Sequence, residues 1–348
     1  MPKVTIIVPI YNVEKYVRAC FESLRLQAGN DHVVLAVNDG SPDNSQQIID
    51  EYTEKYPELF HSIVKENGGY GSVLQRAIAE IDTPYFLVCD PDDTLEDNAV
   101  RTLLDLAEVS GADITCGAKS YVYDGSDRKD YTPSYNDTFV KLKVNTVYHR
   151  DREDFADLFF LDPSPHAKLY KTDVARNITF LTKVGYTDNM LFYLSLLDAS
   201  KVVYTDISLA NYLVDRPGNT MTDVSYKALS GQTSVFRSII EQAEKRENVP
   251  DIFWYRMFES FKYILYQTRR LSCTQEQYEQ AMDQLGELVS CLRPHADVIR
   301  PLYRKYTRNA FVEKQRDAFL LTERFGDRTF GRLKKKMAAE FAAAHQGQ

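Results

Sequence analysis

The segment VCDPDDTL, Val88 to Leu95, runs from an apolar stretch straight into three carboxylates, Asp90, Asp92 and Asp93. Like charges that close together repel one another, so the cluster predicts a hard cation or another positive partner, and with it phosphates. Two more polar clusters follow apolar runs: Pro9 to Asn12, and Asn38 to Asp43. Ligands of open α/β sheets bind beyond the carboxyl ends of the strands, so all three clusters converge on one site. The chain carries neither GxGxxG nor GxxxxGK[ST], so neither glycine-rich phosphate loop serves this site and its binding mode must use the carboxylates.

The elements that position these groups alternate over the first 120 residues between β-branched runs and helical patterns, the mark of βαβ units and a mostly parallel sheet. Val4 to Ile10 reads as a central strand covered on both faces. After Asn12, the spacing of Val13, Tyr16, Val17, Cys20 and Leu24 predicts a helix. Val33 to Asn38, Ser62 to Lys65, Tyr85 to Cys89 and Asp113 to Tyr123 read as further strands. Ser41 is the expected N-cap of a second helix with Pro42 at its first position. The turn Asn67-Gly68-Gly69 precedes a helix with the stripe Val73, Leu74, Ala77, Ile78 and Ile81, and a helix with Ala99, Leu103, Leu106 and Ala107 stops near Gly111. Asp124 to Asp137 reads as a polar loop. From about residue 226 the pattern is helical only, with one stripe at Phe253, Met257, Phe261, Ile264 and Leu265 and a capping box, Thr274 with Gln277, opening the next.

The composition fits a folded, two-domain chain: 348 residues, 44% hydrophobic and 12% aromatic,. The five cysteines are scattered, lack CxxC spacing and read as reduced core residues. No apolar run is long enough for a membrane span, and the first strand is too short and too β-branched for a signal sequence, so a cytoplasmic protein is expected. Between Arg293 and Lys336 stand 13 Lys and Arg against 5 Asp and Glu, while the whole chain carries −8. An acidic body with a basic tail is unsuited to nucleic acid and better suited to an anionic surface.

Four ordered segments, IIVPIYNVEKYVRACFESL, VNDGSPDNS, KENGGYGS and VCDPDDTLEDNAV, strongly resemble the family 2 glycosyltransferases, nucleotide-sugar-dependent enzymes of the GT-A fold. The resemblance covers roughly residues 1 to 220. It implies a Rossmann-like α/β catalytic domain over 1–225, while the helical pattern and the basic stripe beyond it predict a helical domain with a basic amphipathic tail over 226–348. It also implies an inverting, metal-dependent transfer of a sugar from a nucleoside diphosphate, most simply UDP, to a glycan or lipid-linked glycan. By the same resemblance Asp39 binds the base above a loop of Pro9, Tyr11 and Asn12, and the Asn67 and Gly69 turn lies by the donor. Asp90 faces the ribose, Asp92 ligates Mg²⁺ or Mn²⁺, and Arg216 offsets diphosphate charge.

Transfer to a hydroxyl needs its proton removed. VGYTDNMLFYLSL places Asp188 where relatives carry a Glu-Asp pair, which makes it the expected base, with Thr187 in place of the first acid. PSPHAKLYKTD resembles a family stretch near the acceptor, so His166 and Lys168 are expected there. The tail stripe Phe330, Leu333, Met337 and Phe341 beside lysines is expected either to lie on an anionic bilayer, which would place the protein at the inner membrane face, or to pack on its own domain or a second subunit in a homodimer. Two rival readings remain at this stage. One is a nucleotidyltransferase, which usually needs a basic glycine-rich loop near its first strand. The other is a catalytically silent sugar-nucleotide binder, given the acids missing at Asn38 and Thr187.

Overall fold

The computed structural model describes residues 1–214, 225–306 and 327–345. The chain divides into two compact units, Met1–Asn219 and Thr220–Gln348. The first is built on one ten-stranded sheet. Its strands are β1 (Val4–Ile10), β2 (His32–Asn38), β3 (Phe60–Val64), β4 (Tyr85–Val88), β5 (Thr94–Leu95), β6 (Ile114–Val122), β7 (Lys129–Thr132), β8 (Thr146–His149), β9 (Lys168–Lys171) and β10 (Lys201–Leu213). The order is β3-β2-β1-β4-β9-β6-β10-β5, with β7 on β6 and β8 on β10. The first four strands are mutually parallel, β9 enters antiparallel between β4 and β6, and β10 runs parallel to β6. The sheet is mixed and mostly parallel, as the strand pattern predicts.

Register explains why the polar clusters meet. Ile10 lies opposite Asn38, and Asn38 opposite Val64, so three loops leave one edge of the sheet at the same height. All seven residues of β1 are buried. Successive strand residues face opposite sides, and Val4, Ile6, Val8 and Ile10 share a core with α1 (Val17–Arg25), α2 (Ser45–Lys55) and α4 (Ala99–Ser110). Helix α3 (Tyr70–Glu80) also contacts β1 and β2. Helix α5 (Asp188–Asp198) carries Met190 to Leu197 buried throughout.

Two local expectations change. Helix α2 begins at Ser45, and neither Ser41 caps it nor Pro42 starts it. Ser41 instead accepts the Asn12 N–H at 2.8 Å and donates to Asp43 at 2.6 Å, tying the loops after β1 and β2 together. The 124–137 segment contains β7, paired along β6. Gly111 ends α4 in the left-handed conformation, and Thr274 with Gln277 forms the capping box. All five cysteines are free, and Cys20, Cys89 and Cys116 are buried.

The second unit comprises α6 (Tyr226–Ala243), α7 (Asp251–Thr268), α8 (Gln275–Leu292), α9 (Ala296–Tyr306) and α10 (Asp327–His345). The stripe on α10 is covered by its own unit: Phe330, Leu333, Met337 and Phe341 are buried, Phe341 stacks on Tyr278 at 4.1 Å, and Lys334 pairs with Asp283 of α8. Of the two expected uses of this apolar face, packing within its own unit is the one seen, since burying four apolar side chains is itself favourable. Among the described residues no helix is long and apolar enough to cross a membrane.

Candidate active site

The site is assembled around the turn between β3 and α3. Asp39, at the end of β2, is 3% exposed. Its carboxylate pairs with the Lys65 ammonium and accepts the N–H groups of Gly68 at 3.0 Å and Gly69 at 2.7 Å. Lys65 also reaches Ser72 Oγ at 2.8 Å, so the acid after β2 fixes the shape of the turn after β3. Gly69 sits at φ +81°, a conformation that glycine adopts without a Cβ penalty,. Asn38 is engaged on both sides of its amide: it donates to Gln46 at 2.6 Å and accepts from the Ser41 N–H at 2.8 Å.

Beyond β1, Pro9 is buried, whereas Tyr11 and Asn12 are exposed and Asn12 has φ +55°. Asp43 is held at a pKa of about 2: burial pushes it up, but hydrogen bonds from Ser41, Ser45 and the Glu14 N–H outweigh burial. Asn67 is exposed beside the glycines.

The carboxylate loop follows β4. Tyr70, the first residue of α3, donates its hydroxyl to Asp90 Oδ1 at 2.8 Å. Burial, then Asp93 and Asp92, pushes the Asp90 carboxyl well above the usual range. Asp93 is 3% exposed and accepts from His166 Nε2 at 2.7 Å and from the Leu213 N–H at 2.8 Å. His166 is itself buried and tilted against Tyr212 at 4.5 Å. Burial, Lys119 and Lys168 hold its pKa well below the ordinary value, so the neutral ring donates through Nε2 and leaves the buried Nδ1 as an unpartnered acceptor,. Donor atoms of Asp90, Asp93 and His166 lie within 4.8 Å of one another, a spacing that suits one divalent ion,.

Asp92 is half-buried and lines a cleft of about 530 Å³ with Lys15, Tyr16, Asn211 and Leu213 among its walls. Sequence reasoning gave Asp93 no role. The missed signal is spatial, because its partners lie 73 and 120 residues away.

Asp188 opens α5 and is half-buried, with its Oδ1 accepting from the Asn189 amide at 3.2 Å. Burial raises its pKa, an effect only partly offset by Asn189 and Lys168. Burial, Asp90 and Asp188 also raise the pKa of the Tyr70 phenol. Thr187 stands in place of an acid and is fully buried.

Lys168 has no exposed surface. Its ammonium donates to the Ser164 carbonyl at 2.6 Å, and burial lowers its pKa to about 8. Its hydrogen bonds run to the Ser164 and His166 carbonyls, so it braces the loop that carries His166 from inside the protein. Arg216 lies outside the described residues.

These features define a mixed α/β sheet protein with an acidic cleft at the carboxyl ends of its parallel strands, the GT-A-like arrangement. Solved structures share it: *S. aureus* TarS residues 1–349 with UDP-GlcNAc superposes with a TM-score of 0.68 at 18% identity, covering 92% of this chain and 91% of that one. The Glycosyl transferase family 2 model matches residues 5–179, and the chain belongs to that family of transferases. Among curated relatives, Glycosyltransferase GlyA of Streptococcus pneumoniae is 29% identical over 223 residues, 61% of this chain and 30% of GlyA. The Teichoic acid poly(glycerol phosphate) polymerase of Staphylococcus epidermidis is 39% identical over 106 residues, 30% of this chain and 15% of the polymerase. The chain thus spans less than a third of either relative.

Proposed function

We propose that the protein transfers a sugar, with inversion, from a UDP-sugar to a hydroxyl of a glycan or lipid-linked glycan at the cytoplasmic side of a membrane. The observation that carries this reading is the convergence on one turn, Gly68 to Gly71, of Asp39 through Gly68 and Gly69, of Asp90 through Tyr70, and of the start of α5 through the packing of Thr187, the neighbour of Asp188, beside Gly71. Asp39 and the Pro9, Tyr11 and Asn12 loop take the base, Asn67 and Gly69 border the donor, and Asp90 faces the ribose.

Asp188 takes the acceptor proton as its oxygen attacks the anomeric carbon. The new bond forms from the face opposite the diphosphate, the bond from carbon to phosphate oxygen breaks, and UDP leaves. One displacement inverts the configuration, and no second carboxylate is needed as nucleophile. Burial suits Asp188 to this work, because a raised pKa makes a carboxylate a stronger base,.

The donor set fits a divalent cation, which when bound would neutralise charge on the departing diphosphate. Asp90, Asp93 and His166 would hold it, with Asp92 of the same loop as the further ligand that the resemblance assigns. Arg216 is proposed as an additional charge near the diphosphate. Because the α10 stripe is buried, it is not the element that would insert at a lipid-linked acceptor.

Thermal stabilisation by a panel of nucleotides and nucleotide sugars, with and without Mn²⁺, tests the donor assignment. UDP-sugars with Mn²⁺ are expected to stabilise most. Equal stabilisation by every nucleotide, or none by UDP, would contradict it.

A further inference from the structure

Gly71 lies in the first turn of α3 and has no left-handed φ, so its backbone does not call for glycine, the poorest helix former apart from proline,. What it does call for is space. A Cβ at position 71 would stand 2.1 Å from the Leu181 carbonyl oxygen and 3.1 to 3.2 Å from the Thr187 side chain. The same turn is linked twice more to the segment leading into α5: the Lys183 N–H donates to the Gly68 carbonyl at 2.6 Å, and the Phe180 N–H to Gln75 Oε1 at 2.9 Å.

We propose that Gly71 is a positioning residue for Asp188: its missing side chain lets residues 181–187 close onto α3, and that path sets where α5 begins. The inference rests on Asp188 being the base. It also explains Thr187, whose buried methyl and hydroxyl occupy the space beside Gly71.

The two sides of this contact differ in how readily they give. The turn is held by Asp39 through two N–H groups and Lys65, and by Lys65 through Ser72. Segment 181–187 carries Lys183 at φ +58° and Tyr186 at φ +65°, conformations unfavourable for side chains larger than glycine,. A side chain at 71 therefore displaces the segment and Asp188, and leaves the nucleotide end in place. A shift of about 1 Å in a reacting group costs on the order of 100-fold in rate.

The test compares Gly71→Ala, the milder Gln75→Ala and Asp188→Asn in the full chain. UDP affinity is measured by calorimetry with Mn²⁺, backbone amide exchange is measured across residues 65–72 and 181–190, and transfer is measured with the UDP-sugar that stabilises the parent. Gly71→Ala is expected to keep UDP affinity within about threefold, to speed exchange selectively at 181–190, and to lower kcat on the order of 100-fold. Gln75→Ala should move the same quantities less. Unchanged exchange at 181–190, or UDP affinity falling in step with kcat, overturns the proposal. If Asp188→Asn retains transfer, the base assignment fails first. If Asp188→Asn abolishes transfer while Gly71→Ala and Gln75→Ala leave it intact, only the positioning role fails.

Discussion

Asp39 and Asp90 both stand just beyond the carboxyl end of a parallel strand, and the protein treats their charges in opposite ways. Asp39 meets a lysine and two backbone N–H groups, so its charge is balanced by the fold. Asp90 receives one phenol hydroxyl and has Asp92, Asp93 and Asp188 as electrostatic neighbours. The Asp39 end, to which the proposed function assigns the nucleotide base, is built as a finished scaffold. The Asp90 end, to which the proposed function assigns the reaction, stores repulsion that a bound cation would relieve.

Four substitutions or conditions probe that contrast. Asp188→Asn has the largest expected effect: transfer falls by about 10² to 10⁴, while UDP binding measured by calorimetry persists. Asp39→Ala strikes the finished end, because it strands Lys65 and releases the glycine turn; breaking such a buried pair costs about 3–5 kcal/mol. Thermal unfolding and UDP titration should both register the loss.

The pH dependence of stability comes next, and its sign follows from raised carboxyl pKa values. Below about pH 4, Asp90 and Asp188 are protonated whether the chain is folded or unfolded. As pH rises, the unfolded chain releases these protons first, so stability falls progressively through the raised folded values,. The metal-free Asp90→Asn variant should therefore melt above the parent at pH 7.5 and alongside it at pH 4. An unchanged difference at the two pH values would remove the stored repulsion from the account. The smallest effect on stability is expected for His166→Ala without metal, which withdraws one hydrogen bond from buried Asp93. A loss of about 1–3 kcal/mol should appear as a lowered Tm with Asp39-dependent UDP contacts intact.

Legibility in the sequence followed the range of the interactions. Strand β1 was readable to the residue because a doubly covered strand is apolar throughout, and the α4 stop at Gly111 and the Thr274 cap are local. Strand β9 was not readable: KLYK is short, and only pairing with β4 and β6 makes it a strand. Ser41 showed the chemistry of a cap, but a hydrogen bond from Asn12, 29 residues earlier, claimed its oxygen. Asp39, Asp90 and Asp188 could be picked out by motif. That Asp39 is braced by Lys65, that Asp93 is clasped by His166 and Leu213, and that Lys168 is wholly buried are properties of distant contacts.

Calorimetric titration of uridine and of UDP, each with and without Mn²⁺, tests the contrast between the two ends most directly. Uridine brings no diphosphate for an ion to meet and should bind equally with and without Mn²⁺, whereas UDP should bind at least about tenfold more tightly with it, a difference of about 1.4 kcal/mol. Equal UDP affinity in both conditions, or a uridine affinity that needs Mn²⁺, would contradict the account.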